Sequence, residues 1–180
     1  MLADEVEPSM SFTDEISDAK FMIQEVGGWI KNADVKASIL GAILGAGSSI
    51  ALAAAPKALI IIKSQNSIGT GILIVMSVCA ALLALTCMGF VIRTLIPRTM
   101  PSLSGAPNRF SWPSLAAGQR PKDPSSATLR VEEAWAQAEL MSQVASAKFS
   151  SLRISLILFG AFVVMAVLAW ISIAWTDLPQ

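Results

Sequence analysis

Residues 37–56 read Ala-Ser-Ile-Leu-Gly-Ala-Ile-Leu-Gly-Ala-Gly-Ser-Ser-Ile-Ala-Leu-Ala-Ala-Ala-Pro, a run with no charge between Lys36 and Lys57. Coiled at ~1.5 Å per residue, twenty such residues span ~30 Å, the hydrocarbon thickness of a bilayer. Two more gaps follow. One separates Lys63 from Arg93, with its apolar part at 68–92, and the other runs from Arg153 to Asp177, apolar over 154–176. The chain is therefore read as an all-α membrane protein with three transmembrane helices, at 37–62, 68–92 and 154–176. The end of the first is open between 56 and 62. Either the helix continues past Pro56 with Lys57 snorkelling, or residues 58–62 form a short interfacial turn. The polar run Lys63-Ser64-Gln65-Asn66-Ser67 makes the connection to the second span.

Composition agrees with this reading. The 180 residues are 54% hydrophobic and 14% charged, against about 25% charged in soluble domains. There is no His and no Tyr, which removes His-based acid–base chemistry, His-ligated metals and the serine–histidine triad. Cys79 and Cys87 sit inside an apolar run and suggest neither a disulfide framework nor a zinc site. No metal-spacing motif or phosphate loop is present. The expectation is a protein that is not an enzyme, with no catalytic residues, metal or cofactor, and with the lipid bilayer rather than nucleic acid as partner. Residues 1–19 hold six carboxylates and no basic residue, the reverse of a secretory signal, and no lipidation motif marks either end.

Lysine and arginine set the orientation. Lys20, Lys31 and Lys36 precede the first span, and eight more basic residues lie in 93–153 (Arg93, Arg98, Arg109, Arg120, Lys122, Arg130, Lys148 and Arg153). The opposite side holds only Lys57 and Lys63. The N-terminus and residues 93–153 are thus predicted cytoplasmic and the C-terminus periplasmic, with Trp170 and Trp175 in the outer aromatic belt. Within the cytoplasmic 1–36, Ser11 with Asp14 has capping-box spacing and Thr13 is a rival cap. Met22, Val26, Trp29, Ala33, Ala37 and Leu40 then recur at helical steps, with Gly27-Gly28 as a soft point. Six prolines between 97 and 124 predict an irregular loop. Asp123-Pro124 resembles a helix start, and Val131, Trp135, Ala138, Met141, Ala145, Phe149 and Leu152 form a second stripe. Two long amphipathic cytoplasmic helices are therefore expected to continue into spans 1 and 3. Each stripe needs a partner helix, in the same chain or in other copies.

Within the first span, Gly41, Gly45, Ser49 and Ala53 recur every four residues with Ser48 beside them, a small-residue face. It is read as helix packing or as the lining of a pore. At the predicted cytoplasmic edge stand Trp29, Lys31, Asn32, Asp34 and Lys36 on one helix and Gln143, Lys148 and Arg153 on the other. They read either as interfacial anchors, with Lys31 and Asp34 paired at i,i+3, or as a cationic site for a phosphate-bearing ligand.

The stretch Trp29-Ile30-Lys31-Asn32-Ala33-Asp34-Val35-Lys36-Ala37-Ser38 resembles the transmembrane effectors of the bacterial Pycsar (pyrimidine cyclase) anti-phage systems. The resemblance rests on Trp29 followed by Ala33-Asp34-x-Lys36-Ala37-Ser38. It extends in order to the Pro-containing Arg93–Pro97, to Asn108-Arg109-Phe110-Ser111-Trp112-Pro113, and to Lys148-Phe149-Ser150-Ser151-Leu152-Arg153. It covers roughly residues 20–176. The loop carries Phe-Ser-Trp-Pro where a larger aromatic motif is expected. The resemblance implies a bacterial inner-membrane effector that senses cyclic UMP or cyclic CMP made by a partner nucleotide cyclase. It then disrupts the membrane, causing abortive infection. On that footing Lys36, Lys148 and Arg153 are candidates for the cyclic phosphate, and Trp29 and Trp112 for stacking on the base, in a homo-oligomer. The rival expectations are a related effector for another nucleotide messenger and a non-sensing scaffold membrane protein.

Overall fold

The computed structural model describes residues 12–64, 67–97, 108–118 and 126–176. They form four helices: α1 (Phe12–Ser64), α2 (Ser67–Leu95), α3 (Trp112–Ala116) and α4 (Ala127–Thr176). No strand occurs among the described residues. At ~1.5 Å per residue, α1 and α4 are each roughly 75–80 Å long, more than twice a bilayer core. Three helices, α1, α2 and α4, are long and apolar enough to cross a membrane. α1 does not stop at Pro56 but continues to Ser64. The missing proline N–H costs one rung of the backbone ladder and leaves the rest intact. Gly27-Gly28 likewise lies inside unbroken helix.

The chain divides into two compact units: Met1–Lys31 with Pro97–Ser146, and Asn32–Ile96 with Ala147–Gln180. The second unit is a three-helix bundle. Its core gathers Ala37, Leu40 and Leu44 from α1, Cys87 and Val91 from α2, and Leu152 and Phe162 from α4. The rings of Phe159 and Phe162 tilt against each other at 6.3 Å. Asp34 meets Lys148, and a Cβ built at Gly47 would lie 3.7 Å from the Phe162 ring. The contacts ascend together along both helices, so α1 and α4 run parallel. Many large side chains face outward, Ile50, Leu52 and Leu85 among them. Hydroxyl groups are satisfied locally. Ser38, Ser49, Ser77, Thr86, Thr94, Ser151 and Ser172 each donate to the carbonyl four residues earlier. That bond lets a hydroxyl sit in an apolar medium without an orphaned donor.

The first unit is held differently. Ala19 and Val26 of α1, and Ala134, Ala138, Leu140, Val144 and Ala145 of α4, are buried. Residues 108–118 are tied to α4 by polar contacts. The Asn108 amide donates to the Glu133 carbonyl at 2.8 Å, its Oδ1 accepts the Phe110 N–H at 2.8 Å, and Arg109 Nε meets the Glu133 carboxylate at 2.6 Å. Inside the predicted irregular loop stands a one-turn helix, α3, with a proline in its first turn. It closes with the Gly118 N–H on the Leu115 carbonyl at 3.0 Å, and Gly118 takes φ 70°, which a residue with a Cβ adopts only at a cost.

Several details depart from the sequence reading. Thr13 lies within α1, so it is not the cap, and Ser11 falls outside the described residues, as do Gln65, Asn66, Asp123, Pro124 and the Trp175 side chain. α4 is capped by Ser126, whose Oγ accepts the Leu129 N–H at 3.3 Å. Of the predicted stripes, Val26, Ala33, Ala37, Leu40, Ala138, Ala145 and Leu152 are buried, whereas the aromatic members Trp29, Trp135 and Phe149 are exposed.

Candidate functional site

Among the described residues the second unit holds one buried cation, Lys148, and the packing of α4 explains why. Lys148 shares a helix face with Ser151, Leu152 and Ser155, which follow it by three, four and seven residues, and all four are buried. An ammonium on that face must find an anion, because an unpaired buried charge is costly. The anion is Asp34 of α1, whose carboxylate accepts a hydrogen bond from Lys148 Nζ. Asp34 stands between Ala33 and Ala37, both fully buried, so the packing of its own helix turns it towards the bundle. The two side chains differ in exposure, 4% for Lys148 and 37% for Asp34. The cation is inside and its partner is at the rim. Asp34 therefore bonds across the bundle to Lys148, not along its own helix to Lys31 as the i,i+3 spacing suggests.

Lower in the same unit, Thr94 of α2 is fully buried, and Cys87 donates its S–H to the Ser155 carbonyl at 3.2 Å. Ser155 Oγ in turn donates to the Leu152 carbonyl at 2.8 Å. This is a polar seam with its donors satisfied. A lysine ammonium has three N–H groups, and the carboxylate of Asp34 takes one of those of Lys148. Chemically the arrangement is an enclosed cation whose counter-ion stands at the rim.

The five candidate ligand-binding residues are divided between the two units. Lys36, Lys148 and Arg153 belong to the second unit, Trp29 and Trp112 to the first. Lys36 is exposed and, two residues past Asp34, points about 200° around α1 from it. Arg153 is exposed as well, about 140° around α4 from Lys148. Trp29 is 51% and Trp112 64% exposed, so both indoles are free to stack on a planar group. The small-residue face is split in the same way. A Cβ at Gly41 would come within 3.3 Å of Val91, which marks a close approach of α1 and α2. At Gly45 a Cβ meets nothing within 4 Å. Ser48 is half-buried, whereas Ser49 and Ala53 are exposed.

In the first unit a groove of about 630 Å³ is lined by Met22, Val131, Trp135, Ala138, Glu132 and Glu139. It carries two carboxylates and no cation, so it repels a phosphate, and none of the five candidates lines it. Among the described residues no three His, Cys, Asp or Glu side chains gather to hold a metal.

Sequence reasoning missed Asp34 as the partner of Lys148, Gly47 as a packing residue, and the Asn108–Glu133 tie. The first had no local signal, with 114 residues between the partners. Asn108 had a local signal only for its own turn, since an Asn two residues before a turn amide is an Asx-turn pattern, and that signal points to Phe110 and not to Glu133.

The model of one protein family, the Pycsar effector protein domain, matches residues 18–175. No curated protein and no solved structure matches the chain.

Proposed function

This chain belongs to the Pycsar effector family, as a membrane effector of that defence system, and from that premise we propose that it is gated by a cyclic pyrimidine nucleotide. A partner cyclase makes cyclic UMP or cyclic CMP on infection. The effector, in the inner membrane with its N-terminus cytoplasmic and C-terminus periplasmic, binds it and breaches the bilayer, so the infected cell dies before phage mature. The protein catalyses nothing in this reading. Binding energy does the work, because the messenger favours one arrangement of the helices over another.

The observation that carries the reading is the buried Lys148, held by a carboxylate at the rim, on helices that run into the apolar spans. A cyclic phosphodiester bears one negative charge, so one desolvated cation with one or two exposed ones suffices. Lys36 and Arg153 of one chain diverge from Lys148, so they meet a ligand held there only across protomers. This favours a homo-oligomer with the messenger between copies. Trp29 and Trp112 supply faces for the base.

The test is dye release from proteoliposomes carrying the purified chain, with cyclic UMP, cyclic CMP, cyclic AMP or cyclic GMP added. Release with one pyrimidine nucleotide alone is expected, and Lys36→Ala with Arg153→Ala raises the concentration needed at least tenfold. Release with a purine nucleotide alone assigns another messenger. No release with any of the four leaves a scaffold. Orientation has its own check, since a reporter that works only in the periplasm is active when fused after Gln180.

A further inference from the structure

A buried ion pair between two helices fixes their register when the surrounding side chains do not. Around Lys148 and Asp34 they do so only in part. The buried neighbours on α1 are Ala33 and Ala37, and those on α4 are Ser151, Leu152 and Ser155, of which Leu152 alone is large. Side chains as small as the other four lack the interlocking bulk that sets a rotation angle, so this stretch of the seam resists turning less than an interlocked core does. A single polar contact in such a seam decides the setting, as a lone polar residue does in a coiled coil. The hydroxyls nearby are already committed to their own helix, Ser151 to the Ala147 carbonyl and Ser155 to the Leu152 carbonyl. Lys148 to Asp34 is the α1–α4 ion pair of the second unit among the described residues. Exposure decides which end can be exchanged. The ammonium is enclosed, and the carboxylate stands at the rim, the end of the pair that is open to solution.

We propose that Asp34 is an internal anion that keeps the effector silent: by holding Lys148 it locks α1 to α4, and a phosphodiester monoanion activates the protein by taking its place. The second half of this rests on the nucleotide-gating reading. The first does not. A carboxylate and a phosphodiester cannot share one enclosed ammonium cheaply, because the two anions repel at close range. Arrival of one expels the other. Expelled, Asp34 is drawn to water, and the part of α1 that carries it turns away from α4. The small side chains of the seam permit that turn.

The experiment uses the full chain in phosphatidylcholine vesicles, with and without phosphatidylglycerol, with dye release as the readout. Asp34→Asn keeps the side chain's shape and removes its charge. It should release dye with no nucleotide, at least tenfold faster than the unaltered chain. Lys148→Gln breaks the pair from the other helix and should leak equally, with no further response to nucleotide. The reversed pair, Asp34→Lys with Lys148→Glu, should return basal release to the unaltered level, which a merely misfolded protein would not do. The latch is overturned if Asp34→Asn is silent and keeps the normal half-maximal nucleotide concentration, or if the reversed pair leaks like the single variants. Where Asp34→Asn does not accumulate, the reversed pair decides alone, silent for the latch and leaky against it. An unaltered chain that answers no nucleotide, alongside a leaky Asp34→Asn, sinks the messenger and keeps the lock. Release that requires phosphatidylglycerol instead of nucleotide makes the displacing anion a lipid headgroup and overturns the messenger's part.

Discussion

The two units are built partly from the same two helices, and they hold those helices by opposite means. In the second, small residues and hydroxyls pack inside beside Leu40, Leu44, Val91, Leu152 and Phe162, many other large aliphatics face outward, and most polar groups are satisfied within one turn of their own helix. In the first, distant segments are tied by side-chain bonds, Asn108 and Arg109 to Glu133 across 25 and 24 residues. The difference follows from the solvent each sequence is written for. Hydrocarbon gives no reward for hiding a leucine, so helices associate where small side chains let backbones approach. Water does give that reward, and it also competes for loose polar groups, so a loop needs specific bonds to stay placed. Among the described residues of the second unit the Asp34–Lys148 pair is the ionic tie between distant segments, of the kind the first unit favours. That is why it stands out as a candidate for control.

The sharpest way to break the comparison is to add bulk inside the bundle. At Gly41 a single Cβ already crowds Val91 at 3.3 Å. Gly41→Leu should part α1 from α2 and cost ~1–3 kcal/mol, as overpacking typically does. Thermal unfolding in detergent reads this loss. Gly45→Leu has open space at the same step of the sequence. It should unfold at the unaltered temperature, yet lose assembly or dye release if a second copy packs there. Equal stability loss in both variants would mean that the Gly45 side of α1 is as closed as the Gly41 side.

The spans were legible because charge gaps of bilayer length need no tertiary information, and the described helices cover all three. The extension of α1 and α4 beyond them was legible too, in stripes that do not stop at the last lysine. Most of their phase was as well, since Val26, Ala33, Ala37 and Leu40 on α1 and Ala138, Ala145 and Leu152 on α4 are buried. The aromatic members were not, because Trp29 and Trp135 stand at the same helical steps and are exposed. Spacing fixes the angle of a residue around its helix but not the room the facing helix leaves, and Trp needs more of it than Ala. The partner of Asp34 was hidden for another reason. Lys31, three residues away, offered a local partner, and nothing in sequence signals Lys148. α3 hid among prolines, although Pro113 in its first turn and Gly118 after its end are ordinary helix boundaries.

A change in the first unit should act through lost polar ties instead of crowding. Asn108 is buried and bonds in two directions, so Asn108→Ala strands the Phe110 N–H and leaves the Glu133 carbonyl without this donor. A loss of ~1–3 kcal/mol is expected. Amide exchange should quicken in residues 108–118 while the spans keep their protection. Faster exchange throughout both units would instead mean that the ties of the first unit also stabilise the membrane bundle. Ser126→Ala removes the α4 cap and should cost about 1 kcal/mol, read as fraying confined to the first turn.

The smallest effect is expected at Ser49, and it bears on what the small-residue face does. Its hydroxyl donates to the Gly45 carbonyl at 2.9 Å and the residue is exposed in the single chain. Facing lipid or a neighbouring helix, that hydroxyl has its one donor satisfied and asks for nothing more. Ser49→Ala should then shift stability by less than about 0.5 kcal/mol, as surface changes usually do, and leave dye release unaltered. In a water-filled path the same hydroxyl would offer its lone pairs to water and to passing ions. Removing it would slow release or change which solutes pass, with stability untouched. Comparing release of a small cationic and a small anionic dye from the two variants separates these cases. Unequal change between the dyes would place α1 at the wall of a pore and move this face from packing to permeation.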